Sequence, residues 1–100
     1  MAKLLNPERR RAVNDSAIPR IPAIAKRWLP SGELRCHHWV SPNPRSKSSQ
    51  LKVDLRTGAW RDWATGDHGD DVISLLCFLQ DVADDIAVHE VARMLGAEHA

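Results

Sequence analysis

The chain has no tyrosine and a single phenylalanine, yet it carries four tryptophans in 100 residues. Large flat ring surface is therefore concentrated at Trp28, Trp39, Trp60 and Trp63. No apolar run approaches the roughly 20 residues that span a bilayer, so no membrane association is expected. The opening MAKLLNPERRR lacks the apolar centre of a secretory signal. Cysteine is scarce: Cys36 and Cys77 sit in unrelated contexts and make no disulfide framework. Together these absences set the expectation of a cytoplasmic location. There is no CxxC or HxxxH pair, no P-loop, no GxGxxG and no nucleophile elbow. Neither a cofactor, a bound metal nor a catalytic residue is expected.

What is present is unevenly charged. Residues 1–61 hold 13 Lys and Arg against four acids, a balance of +9. Residues 62–100 hold Arg93 against nine acids, a balance of −8. Charge runs are usually solvated faces, but a split this lopsided favours a surface that meets a polyanion.

Residues 1–17 are polar and basic and read as an N-terminal arm, with a helical piece around Pro7–Val13 capped by Asn6. Residues 18–100 read as one domain. A short helix is expected from Pro22 to Leu29, with Ile21, Ile24, Ala25, Trp28 and Leu29 on one face and Pro30 ending it. Glu33–Val40 reads as a strand and SPNPRSKSSQ (41–50) as a loop. LKVDL (51–55) alternates strictly, RTGAW (56–60) is a hairpin turn, and AWRDWA (59–64) is the return strand. ATGDHG (64–69) is a loop. Asp70 or Asp71 then caps the apolar helix DDVISLLCFLQ, the expected central helix. After a break at 81–83 comes DDIAVHEVARML (84–95), with Ile86, Ala87, Val91, Met94 and Leu95 as its stripe and Gly96 as its cap. The fold class is α+β: short N-terminal helices, a small antiparallel sheet and a C-terminal helical hairpin.

Three chemistries compete for the polar residues. Cys36-His37-His38 is a fragment of a zinc site, but a structural site needs four ligands and no second pair exists. Asp67, His68, Asp70 and Asp71 could do acid–base work or hold Mg²⁺, although caps and turns at a loop-to-helix junction call for the same residues. The third is nucleic-acid binding. Trp39, Arg45, Lys47, Lys52, Arg56, Arg61 and Trp63 interleave cations with rings, as single strands require. Trp60, opposite Leu55 across the turn, is expected in the core. Trp39 and Trp63 stay open between core and stacking platform.

The run HWVSPNPR…LKVDLRTGAWRDWATGDHGDDVISLL, followed by a helix ending in VARMLG, resembles the N-terminal zinc-binding-like domain of primases from phages, plasmids and integrated elements. It is more distantly similar to the CHC-type zinc ribbon of bacterial replicative primases. The resemblance covers residues 30–96. In zinc-binding relatives a CxxC pair precedes the Gly-Asp-apolar helix. Trp63 and Gly66 occupy those positions here, and Cys36 and His38 are the best upstream pair. The resemblance therefore implies a metal-free version, with Trp63 as a candidate plug for the vacated metal position. It also implies a module that engages single-stranded DNA template beside a primase, polymerase or helicase partner, with polymerisation carried out elsewhere. The expected contacts are Trp39, Arg45, Lys47, Lys52, Arg56, Arg61, Trp63 and His68. The alternative is a protein–protein adaptor that docks its acidic helical half on such a partner.

Overall fold

The computed structural model describes residues 7–99; the Asn6 cap lies outside them, as do the side chains of Lys47 and residues 97–99. Helix α1 spans Pro7–Ala17 and continues through a 3₁₀ turn, Ile18–Arg20, into α2, Ile21–Trp28. Pro22 suits the first turn of α2, because the amide it lacks has no intrahelical partner there. Ile21, Ile24 and Ala25 recur at helical spacing and are buried, and the helix stops one residue short of Pro30. Residues 7–17, read as an arm, pack on the domain: Ala17 is fully buried and Val13 lies against the same core.

Five strands follow: β1 (Glu33–Arg35), β2 (His38–Asn43), β3 (Ser46–Asp54), β4 (Trp60–Arg61) and β5 (His68–Gly69). They form one antiparallel meander in the order β1-β2-β3-β4-β5. Two expectations are corrected here. Glu33–Val40 is not one strand but a hairpin folded at Cys36, whose φ of 55° is left-handed. Residues 41–50 are not a loop: β2 and β3 pair out to Asn43 and Ser46, with a bulge at Pro42/Asn43. Prolines and serines hid these strand ends because the buried positions there, Ser41, Asn43 and Ser49, are polar. Trp60 is in the core as expected, but it pairs with Val53 and not Leu55.

Helix α3 (Val72–Gln80) is central, as its all-round hydrophobicity predicts. Asp71 caps it: its carboxylate accepts from the Ser74 amide at 2.8 Å, and Ser74 closes the reciprocal capping box. Val72, Ile73 and Leu76 meet Ala17, Ile21 and Ile24 on one side and Ala87, Val88, Val91 and Leu95 of α4 (Asp84–His99) on the other. The opposite face sends Leu75 into a second cluster with Leu29, Leu51, Val53 and Trp60. So α3 is shared by a helical core and a sheet core. The chain leaves α3 through Asp81 in a left-handed conformation (φ 55°). Helix α4 runs through Gly96, which caps nothing, and Ile86, expected in its stripe, is half exposed while Val88 is buried in the core.

Arg10 ties α1 to both later helices. Its guanidinium grips Asp71 with two bonds (Nε to Oδ2 2.9 Å, Nη2 to Oδ1 3.1 Å) and reaches Asp84 Oδ2 at 2.8 Å. Burial alone would raise the Asp71 pKa. The bonds from Arg10 and Ser74 outweigh it and hold the carboxyl below its ordinary value. A carboxylate depressed in the folded state contributes fully above the unfolded value of about 3.9 and loses that contribution as pH falls through the folded value. Arg10→Ala should cost about 1–2 kcal/mol at neutral pH, measured by urea unfolding. The variant should also lose less stability than the parent between neutral pH and pH 3.

Candidate nucleic-acid interface

Strand alternation turns one set of side chains away from α3. Register places Lys52 opposite Arg61, and Arg61 opposite His68, in one row across β3, β4 and β5. The next row sets His38 opposite Asp54. Like charges directly opposite in a sheet are destabilising. Among the described residues no carboxylate forms an ion pair with Lys52 or Arg61. Fold stability therefore gives no reason for this row.

Beside this row, just past Arg61 in the chain, stands Trp63, which is 75% exposed. The Arg61 guanidinium lies over its ring, 4.4 Å from the centroid. A depression of about 360 Å³ opens here, lined by His38, Lys52, Asp54, Arg61, Trp63 and His68 among others. The His68 Nδ1 is 3.0 Å from the Gly66 carbonyl. A carbonyl only accepts, so Nδ1 carries the proton in this bond.

Trp63 is held out by its neighbour. Asp62 points inward and has no exposed surface. Its carboxylate accepts from Asn43 Nδ2 (2.6 Å), Ser49 Oγ (2.5 Å) and the amides of Ala64 (2.8 Å) and Thr65 (3.1 Å). Burial pushes its pKa up, but these four bonds prevail and keep it below the ordinary value. The chain then closes on itself: Gly66 N–H donates to Asp62 O, and Asp62 N–H to Asp67 O, both at 2.8 Å. Gly66 adopts φ 84° to allow this turn, which is why AWRDWA yields a two-residue strand in place of a long one. Trp63 is thus no plug. The indole that fills the interior is Trp60, which stacks on Phe78 at 4.9 Å and donates to Ser74 Oγ at 3.0 Å.

The sheet brings Lys52, Arg61, Trp63 and His68 together. Arg56 sits at the margin, bonded to Asp54. Arg45 lies on the α3 side, donating to the Phe78 carbonyl at 2.8 Å with its guanidinium over that ring. Trp39 also faces inward: its indole donates to Leu29 O at 2.9 Å and packs on the sheet core. The Lys47 side chain lies outside the described residues. His38 and Asp54 belong to the face although neither is among the nucleic-acid contacts expected from the sequence. The alternation of LKVDL was the available signal for Asp54, and the unrecognised turn at Cys36 concealed His38.

Among the described residues no group of three or more His, Cys, Asp or Glu side chains could hold a metal. Asp71 is committed to the α3 cap and Arg10, and Asp67 bonds Thr65. Cys77 donates to Asp84 at 3.1 Å, and burial, reinforced by that carboxylate, pushes its thiol up to about 12, so it is not a nucleophile at neutral pH. No family model, no curated protein and no solved structure matches the chain.

Asp62→Ala should destabilise the fold by about 2–3 kcal/mol, because it orphans buried donors. Trp63→Ala should change stability by less than about 0.5 kcal/mol. Thermal unfolding followed by circular dichroism compares the two; a Trp63→Ala chain that fails to fold would contradict the displayed-ring geometry.

Proposed function

We propose that this chain is a single-stranded-DNA-binding module of a mobile-element replication system, working beside a primase, polymerase or helicase. The observation that carries the binding reading is the Lys52–Arg61–His68 row, whose Lys52 and Arg61 form no ion pair among the described residues, beside the displayed ring of Trp63. Backbone phosphates of a flexible strand fit the cations, and an unpaired base fits the free face of Trp63. In a duplex the bases are paired and stacked on one another, so their faces are closed to such a ring. The replication context rests on the order of motifs from HWVSPNPR to VARMLG, which resembles primase N-terminal domains. In this reading the module holds template and performs no chemistry itself.

One observation favours the adaptor reading as a companion. Ile86, half exposed, stands in the acidic first turn of α4 beside Asp84 and Asp85. An exposed apolar residue beside Asp85, with Asp84 held by Arg10, suits a small contact with a basic partner surface.

The test is a polarisation titration with a labelled oligothymidylate over a range of salt. Binding should weaken steeply as salt rises, and a matched duplex should bind more weakly. Lys52→Ala and Arg61→Ala should each lower the magnitude of the salt slope by about one. Trp63→Ala should lose about 1–3 kcal/mol of binding. Absence of binding at low salt rejects the proposal.

A further inference from the structure

The depression beside Trp63 holds one group that phosphate binding does not explain, the carboxylate of Asp54. A carboxylate on a face meant for a polyanion ordinarily repels its ligand. Here Arg56 neutralises it. The Arg56 amide and Nε donate to Oδ1 at 2.8 and 3.2 Å, and Nη2 donates to Oδ2 at 3.2 Å. These bonds lower the Asp54 pKa, the Arg56 side chain contributing most, so the group is an ionised acceptor at neutral pH. They also fix its orientation. A carboxylate offers about four lone-pair sites, two on each oxygen. Three are used, both on Oδ1 and one on Oδ2, which leaves one acceptor position on Oδ2. The side chain is 20% exposed, enough to be touched from solvent.

Resting on the nucleic-acid reading above, we propose that Asp54 is a specificity residue: it accepts a hydrogen bond from the exocyclic amino group of a base that enters beside Trp63. Cytosine presents such a donor at its N4, and a carboxylate is its natural acceptor. Thymine presents a carbonyl oxygen at the same place, which leaves Asp54 facing an acceptor. The two pyrimidines have nearly the same shape and stacking surface, so their difference isolates this contact. The site therefore favours amino-bearing bases over thymine or uracil. Asp70 also borders the depression. No arginine among the described residues clamps it, and it serves as the control carboxylate.

The experiment compares labelled oligodeoxythymidylate with the same strand carrying dC substitutions, at fixed salt, by polarisation. The parent chain should bind the dC strand at least about fivefold more tightly. Asp54→Asn should abolish the preference by gaining affinity for thymidylate, since an amide can turn its NH₂ toward the thymine carbonyl. Arg56→Ala should weaken both strands and narrow their ratio, because Asp54 loses the side chain that orients it, whereas Asp70→Asn should keep the ratio. Equal binding of both strands by the parent chain overturns the role of Asp54 and leaves the nucleic-acid reading standing, as does a preference that survives Asp54→Asn in a chain with native circular dichroism. Failure of every strand to bind at low salt overturns both.

Discussion

The carboxylate of Asp62 organises the turn that displays Trp63 beside Arg61. It is ionised, buried and supplied with four donors from three segments: Asn43 at the end of β2, Ser49 in β3 and the turn after β4. A buried charge is costly unless its lone pairs are filled, and here the chain bends to fill them. That bend shortens β4, closes the 62–67 turn, and leaves Arg61 and Trp63 on the outside on either side of a residue that faces in. The display of Trp63 follows from how Asp62 is solvated, not from any preference of the indole.

Behind the sheet, α3 solves a different problem. A sheet of short strands and a set of small helices each leave an apolar face that needs a cover. Leu75 meets the sheet while Ile73 and Leu76 meet the helices, so one nine-residue element closes both cores. Its position is set at its first turn by the Asp71–Ser74 box and by Arg10 from α1. Gly69 shows how tightly β5 approaches that turn. A Cβ there would sit 2.1 Å from Ser74 Oγ and 2.4 Å from the Trp60 indole nitrogen, so only glycine lets the last strand lie against the helix start.

What could be read from the sequence was what local rules govern. LKVDL alternates and is a strand; Asp71 before an apolar run is a cap; Ile21, Ile24 and Ala25 mark a buried helix face. What escaped depends on distant partners. Asp62 shows no partner in its local sequence because Asn43 and Ser49 lie 19 and 13 residues away. Arg10 reads as part of a solvated arm because Asp71 is 61 residues away. The turn at Cys36 carries no Gly or Asn to announce its left-handed conformation. Of the four proposed contacts that the sheet gathers, Lys52 and Arg61 follow from alternation along β3 and β4, His68 comes opposite Arg61 on β5, and Trp63 is placed by the turn that Asp62 closes. Arg45 and Trp39 were separated from them by a bulge and an inward face, which composition does not reveal.

The cross-strand pair of Lys52 and Arg61 has a thermodynamic corollary. Two cations held opposite each other on a rigid sheet make the empty chain store repulsion that the unfolded chain does not feel. A polyanion laid between them would relieve that repulsion while gaining its own attraction. Occupancy and folding are then linked, and the sheet face would be firmest when loaded. On the proposed reading, a bound polyanion would supply a counter-charge that the sheet itself lacks.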